Sequence, residues 1–129
     1  AAEAGVGCFL AGGAEGFDTL AAEAVIAARG DYPALRLVLA LPSRSFLSRR
    51  SAAERLRAAH ILHAADEAHY ASDTDNSVRC MLARNRYLVE HADCCVAYLR
   101  RASGGTLYTV NYALERGLPV KNLASEPTC

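Results

Sequence analysis

The chain has 129 residues, of which 52% are hydrophobic and 22% charged, and its 14 basic and 14 acidic residues give a net charge of zero. This length predicts one domain rather than two, and the composition is that of an ordinary globular protein. The lack of a basic excess disfavours a nucleic-acid partner, and no apolar run approaches the ~18 residues that a membrane span requires.

The first part of the chain alternates an apolar run with a helical pattern. Residues 6–11 are the first predicted strand, and a glycine-rich turn over residues 12–16 follows it. A helix is predicted to begin at Phe17 and to end before Gly30 and Pro33, which stop helices. Its inward face is predicted to carry Phe17, Leu20, Ala21, Ala24 and Ala28.

The same alternation continues after that helix. Residues 35–41 are predicted as a buried strand that Pro42 closes. Ser51 and Glu54 then form a capping box, in which the two side chains satisfy backbone donors at a helix start. The buried side of this second helix is predicted to carry Ala52, Leu56, Ala59 and Leu62.

The second half of the chain repeats the pattern of strands and helices. A third helix is predicted over residues 77–91, and a fourth contains Leu107, Val110 and Leu114. Gly117, with Pro119 just beyond it, ends the fourth helix. The remaining strands are predicted at residues 68–71, 94–99 and 120–123.

Five strands that alternate with four helices predict an α/β fold. The sheet should be mostly parallel, with about five strands and with helices on both faces. This is a Rossmann-like three-layer α/β/α arrangement, and we expect it to occupy residues 1–129 as a single domain.

The five cysteines show no paired spacing, although Cys94 and Cys95 are adjacent. An odd number of cysteines without such spacing favours buried free thiols over a disulfide framework. Because free thiols persist in reducing compartments, the protein is expected to be cytoplasmic.

The first glycine turn is a candidate phosphate site. Gly12, Gly13 and Gly16 follow a strand, and Asp18 stands at the start of the next helix. Ligands of parallel sheets bind beyond the carboxyl ends of the strands, and glycine lets backbone amides approach a phosphate at a helix N-terminus. The alternatives are a turn that needs glycine for its dihedrals alone, and an Asp18 that only caps its helix.

A second turn of the same kind contains Ser103, Gly104, Gly105 and Thr106. Thr106 is a candidate phosphate ligand, and the alternative is a helix cap. Two such turns at the ends of strands predict that two helix N-termini converge on one crevice, which would hold a phosphate-bearing ligand.

The third predicted helix carries an apolar stripe with Asn85 in its middle. A buried amide requires hydrogen bonds, so Asn85 is expected either to hold a neighbouring loop or to orient a ligand. Arg84 lies at the edge of the stripe, where its guanidinium either reaches a phosphate or stays solvated. The stripe consists of Val78, Met81, Leu82, Leu88 and Val89.

Two further patterns have simple interpretations. His60 and His63 are one helical turn apart, but no Cys or carboxylate pattern supplies further ligands, and we expect no metal site. A basic cluster after the second strand is typical of a solvated face, with the alternative that it borders the crevice. It contains Arg44, Arg49, Arg50, Arg55 and Arg57.

Three stretches together resemble the SLOG superfamily, which joins the DprA/Smf DNA-processing proteins with the LOG enzymes, and most of all its YpsA-like family. The stretches are residues 12–18 with 21–23, residues 80–89, and residues 103–106 with Tyr108 and Val110. In order and spacing they span nearly the whole chain. The resemblance implies a Rossmann-like fold in which the glycine turns and Arg84 line a nucleotide site.

LOG enzymes hydrolyse the N-glycosidic bond of nucleoside monophosphates. They use an arginine in a Met-x-x-Arg-Lys motif and a glutamate shortly after a Gly-Gly-x-Gly-Thr turn. Arg84 matches that arginine, whereas Asn85 replaces the lysine, and Tyr108 and Thr109 stand where the family has acidic residues. The YpsA-like pattern also begins with an earlier strand that this chain lacks, so the domain is expected to be without its N-terminal strand.

These observations predict a bacterial sensor or adaptor domain that binds a nucleotide or nucleotide derivative at its two glycine turns. One alternative is a LOG-like phosphoribohydrolase of nucleoside monophosphates, in which Glu15 or Asp18 supplies the acid. A second alternative is a DprA-like DNA-processing accessory, which the neutral charge disfavours. No cofactor is expected apart from a bound nucleotide, and the sequence leaves a homo-oligomer open.

Overall fold

A computed structural model of the chain describes residues 7–13, 16–72, 77–98 and 105–123. Strands and helices alternate along these residues, which confirms the predicted Rossmann-like α/β fold. In chain order the elements are β1 (Cys8–Ala11), α1 (Phe17–Ala28), β2 (Arg36–Ser43), α2 (Ala52–Ala64), β3 (Glu67–Ser72), α3 (Val78–Glu90), β4 (Cys95–Ala97), α4 (Gly105–Glu115) and β5 (Val120–Asn122).

All the described strand pairs are parallel. In the larger sheet β2 lies between β1 and β3, with Cys8 paired to Arg36 and Val38 to Glu67. A smaller sheet joins β4 to β5. The strands therefore form sheets of three and two rather than one continuous sheet, because no ladder of hydrogen bonds connects β4 or β5 to the larger sheet within the described residues.

The hydrophobic core lies on both faces of β2. Leu37, Leu39 and Leu41 point to one face, where they pack with residues of α1 and α2. Because side chains alternate along a strand, the buried Val38 and Ala40 point to the other face, and α3 packs against β2 and β3 there. The larger sheet thus has helices on both sides, as the three-layer arrangement requires.

Local signals set the ends of several helices as the sequence predicts. Ser51 caps α2 by accepting a hydrogen bond from the backbone N–H of Glu54 at 3.2 Å. The structure shows this half of the predicted capping box, while the Glu54 carboxylate lies 3.9 Å from Nη1 of Arg57. Ser77 caps α3 in the same way, with the N–H of Cys80 as donor at 3.3 Å, although the sequence analysis predicted only where this helix begins. α4 ends shortly before Gly117, whose φ of +78° favours glycine.

Pro42 does not close β2, contrary to the prediction. The strand continues to Ser43, since Leu41 and Ser43 pair with residues of β3 on either side of the proline. The Pro42 carbonyl in turn accepts a hydrogen bond from the Ser72 hydroxyl at 3.2 Å. The backbone N–H that Pro42 lacks is therefore tolerated, because the residues on either side of it remain paired with β3.

The predicted inward faces of the helices are wrong at several positions. Leu20, Leu56 and Val78 are 59%, 75% and 70% exposed. The buried residues are Thr19, Ala22 and Val25 in α1 and Ile61 in α2. Helices α1 and α2 are rich in alanine and present more than one small apolar stripe. Packing against the neighbouring sheet therefore decides which of these stripes is buried.

The four described cysteines are free, as predicted, but none of them is fully buried, since Cys80 and Cys95 are half-buried and the other two are exposed. Cys8 begins β1 and Cys94 precedes β4, and both are exposed at these strand starts. In the part of the chain that the structure describes, no helix is long and apolar enough to cross a membrane.

Candidate functional site

The first glycine turn brings α1 and α3 together at the carboxyl end of β1. Gly12 is buried directly after the strand. A Cβ atom on Gly12 would lie 2.7 Å from Oδ2 of Asp18 and 3.0 Å from Nη1 of Arg84. The turn therefore needs glycine here so that both side chains can approach the backbone.

Arg84 is the buried polar residue of α3. The residue is only 8% exposed, its Nη1 donates to the Gly12 carbonyl, and its Nε donates to Oδ1 of Asn85 at 2.7 Å. The stripe drawn from the sequence placed Asn85 at the buried centre and Arg84 at the edge. The structure reverses these positions, and half-buried Asn85 holds the guanidinium of Arg84 in place.

The surroundings of Arg84 set its electrostatics. Burial lowers the pKa of Arg84, the carboxylate of Asp18 opposes this by favouring the charged form, and the guanidinium of Arg50 lowers the pKa further. Arginine nevertheless stays protonated in proteins. The site thus holds a desolvated cation beside one carboxylate and a second cation.

Arg50 contacts the first glycine turn, whereas the sequence favoured a solvated face for its basic cluster and left open that the cluster borders the crevice. Its Nη2 donates to the Gly13 carbonyl at 2.8 Å, and its guanidinium lies 5.4 Å from the ring centroid of Phe46. Two guanidinium groups therefore bind consecutive carbonyls, those of Gly12 and Gly13. The only signal for Arg50 in the sequence is its position shortly after β2.

Gly13 and Gly16 shape the turn through their backbone conformations. Gly13 has φ of +73°, and a Cβ there would overlap Cδ2 of Leu41. Gly16 has φ of +84° and stands at the N-cap of α1, where it provides no side-chain cap. The start of α1 thus has a bare glycine N-cap with Asp18 in its first turn.

The second turn approaches the same cluster through Asn85. Gly105 begins α4, and a Cβ on it would lie 3.7 Å from Nδ2 of Asn85. Thr106 follows in the first turn of α4 and is exposed. Ser103 and Gly104 lie outside the described residues. The structure therefore brings together Gly12, Asp18, Arg84, Asn85 and Gly105.

An aromatic pair that the sequence analysis did not single out joins α1 to β4. Phe17 opens α1, Tyr98 directly follows β4, and their ring centroids are 6.1 Å apart with an interplanar angle of 23°. Tyr98 is 44% exposed. A single aromatic residue after a short strand is too common a pattern to be singled out from sequence.

The model of the YspA SLOG family (YpsA) matches residues 1–118. The chain belongs to this family. The match includes both glycine turns and α3, so it confirms the resemblance drawn from those stretches. Membership also supports, at a coarse level, a nucleotide-related Rossmann-like domain. Among curated proteins no significant match is found.

The positions at which LOG enzymes carry acidic residues have other roles in this SLOG domain. The Tyr108 hydroxyl accepts a hydrogen bond from Nη1 of Arg86 at 3.0 Å, which links α4 to α3. The Thr109 hydroxyl donates to the Gly105 carbonyl at 2.9 Å within α4. Of the two acids considered as replacements, Asp18 lies beside Arg84, and Glu15 is outside the described residues.

Metal ligands are not grouped in the part of this SLOG domain that the structure describes. Within it, no three His, Cys, Asp or Glu side chains lie close enough to hold an ion. His60 and His63 are both exposed on the outer side of α2.

Proposed function

We propose that this SLOG domain binds a nucleotide or a nucleotide derivative, with the phosphate at the Gly12–Gly13 turn. The observation that carries the proposal is the buried guanidinium of Arg84. Its Nη1 and Nε have protein acceptors, whereas its Nη2 has none within the described residues. This nitrogen is the donor that a ligand oxygen would engage.

The charges around the turn favour an anion. Arg84 and Arg50 bring two positive charges to consecutive carbonyls, and Asp18 is the carboxylate that acts on Arg84. A buried charge is unfavourable unless it is paired, and a charge-assisted hydrogen bond from a guanidinium to a phosphate oxygen is stronger than one between neutral groups. The N-terminus of α1 adds partial positive charge beside them.

Loss of the Arg84 guanidinium tests the proposal directly. We expect Arg84→Gln to weaken binding of AMP, since a charge-assisted hydrogen bond contributes about 1.5–3 kcal/mol, or roughly ten- to a hundredfold in affinity. Isothermal titration calorimetry measures the affinity, and circular dichroism checks the fold.

The matched control is Arg36→Gln. Arg36 is the first residue of the central strand β2, at the end of the strands opposite the Gly12–Gly13 turn, and it pairs with Glu67. Its replacement therefore removes the same charge at a distance from the turn. Arg50→Gln provides a second test at the turn if Arg84→Gln does not fold. Unchanged AMP affinity in a folded Arg84→Gln or Arg50→Gln variant would contradict the proposed phosphate site.

Binding without catalysis is the role we propose, that of a sensor or adaptor. Hydrolysis of a nucleoside monophosphate requires a carboxylate beside the sugar, and Tyr108 and Thr109 supply none at the positions that follow the second turn. We expect no free base when the domain is incubated with AMP and the products are separated by chromatography.

Asp18 supports the second candidate, a LOG-like phosphoribohydrolase. Its carboxylate lies against Gly12 and acts on Arg84, within the same cluster as the proposed phosphate site. Release of free base by the wild-type chain that is lost in Asp18→Asn would establish the hydrolase and exclude the sensor.

A further inference from the structure

The Phe17–Tyr98 pair stands beside the proposed phosphate site. Phe17 is the first residue of α1 and precedes Asp18, whose carboxylate lies against Gly12 and acts on Arg84. Tyr98 directly follows β4, at the carboxyl end of that strand. The contact between the two rings therefore connects the start of α1 with the strand end that leads toward α4.

Tyr98 is fixed on one side and open on the other. Phe17 is half-buried and lies nearly parallel to the Tyr98 ring, which limits the orientations that the tyrosine can take. Tyr98 is nevertheless 44% exposed, although Ala97 immediately before it is only 7% exposed. An oriented aromatic ring with solvent-accessible surface is the arrangement on which a planar base stacks with little loss of side-chain freedom.

We infer that Tyr98, supported by Phe17, is the stacking surface for the base of the bound nucleotide. This inference rests on the proposed function and adds to it the residues that bind the base. The ligand carries an aromatic base as well as a phosphate. A sugar phosphate without a base would contact only the guanidinium groups at the Gly12–Gly13 turn and not Tyr98. Tyr98 acts by contact with the ligand, and Phe17 is a positioning residue.

The experiment compares two probes that differ in the base, AMP and ribose 5-phosphate. Stacking of one base on an aromatic side chain contributes enough for about a tenfold change in affinity. Calorimetry with the wild-type chain should show tighter binding of AMP. Tyr98→Leu should weaken AMP binding about tenfold and leave ribose 5-phosphate binding unchanged, whereas Tyr98→Phe should keep the AMP affinity.

Tyr32→Leu is the matched control, because Tyr32 is another exposed tyrosine (38%, against 44% for Tyr98) and lies beyond the opposite end of α1. Equal affinities of the wild-type chain for both probes would overturn the stacking surface and leave the phosphate site intact. So would a Tyr98→Leu variant that loses affinity for both probes alike, or for neither. A wild-type chain that binds neither probe would overturn the proposed function and this inference together.

Discussion

Gly13 and Gly117 have nearly the same backbone conformation in different surroundings. Their φ angles are +73° and +78°, and a Cβ would meet nothing within 4 Å at Gly117 but would overlap Leu41 at Gly13. We expect Gly117→Ala to lower the free energy of unfolding by about 1–2 kcal/mol through backbone strain. Gly13→Ala should lower it by about 1–3 kcal/mol more, because Leu41 is packed in the core and yields only with strain.

Urea unfolding of the two variants measures this difference. Gly117 serves as the control for backbone strain, since it ends α4 far along the chain from the first turn. Equal losses of stability in both variants would show that the core beside Gly13 accommodates a methyl group.

At the scale of single residues, composition and spacing identified Arg84 but not its environment. Helical periodicity places Arg84 and Asn85 about 100° apart on α3, and a shift of the stripe by one residue decides which of them is buried. That shift depends on how α3 lies against β2 and β3. The contact of Arg50 with the turn could not be predicted, because its acceptor, the Gly13 carbonyl, is 37 residues away in the chain.

The helices α1 and α2 are joined by an ion pair between Glu23 and Arg57. Nε and Nη2 of Arg57 donate to the two carboxylate oxygens of Glu23 at 2.8 and 2.6 Å. These hydrogen bonds lower the pKa of Glu23, and they raise the pKa of Arg57. Because the pKa of Glu23 is lower in the folded state than in the unfolded state, the pair stabilises the fold above the unfolded-state pKa.

This stabilisation should disappear in acid. We expect Glu23→Gln to be less stable than the wild-type chain at neutral pH, with the difference shrinking as the pH falls through the lowered pKa of Glu23. Thermal unfolding followed between neutral and acidic pH measures it. Glu115→Gln on the exposed end of α4 is the control. A stability difference that persists in acid would show that the charge of Glu23 is not its source.

At the scale of elements, the sequence predicts which helices and strands form, and in what order, better than it predicts which face of each helix is buried. The cap at Ser51 is a local hydrogen bond over three residues, so its pattern is visible in the sequence. Whether Leu56 or Ile61 faces the core is not visible there, because both fit a helical stripe. Leu56 is 75% exposed and Ile61 is 6% exposed.

For the molecule as a whole, the two sheets differ in how deeply their strand residues are buried. Residues 37–41 of β2 are all buried, with β1 on one side and β3 on the other. β4 and β5 are three residues each, and Val96 at the centre of β4 is 50% exposed. Local opening requires less free energy where fewer apolar contacts are broken.

Hydrogen exchange of the native chain tests this difference. We expect the backbone amides of residues 37–41 to exchange last and those of β4 and β5 to exchange faster by local opening. Mass spectrometry of peptic fragments resolves the two sheets. Equal protection in both would show that they open as one cooperative unit.

The sequence by itself determined the α/β alternation, the family, the parallel strand direction and the glycine turns at strand ends. The alternation and the turns follow from short-range periodicity, from caps and from the freedom of glycine, which act within a few residues. The parallel direction follows from the helix that joins each strand to the next, and the family from three stretches that span nearly the whole chain. The tertiary structure alone decided that the strands divide into sheets of three and two. It also decided that Arg84 is buried under Gly12, that Arg50 binds the Gly13 carbonyl, and that Tyr98 stacks on Phe17 at the start of α1. Those outcomes depend on contacts between elements remote in the chain, where packing and the pairing of buried polar groups select one among several compatible local patterns.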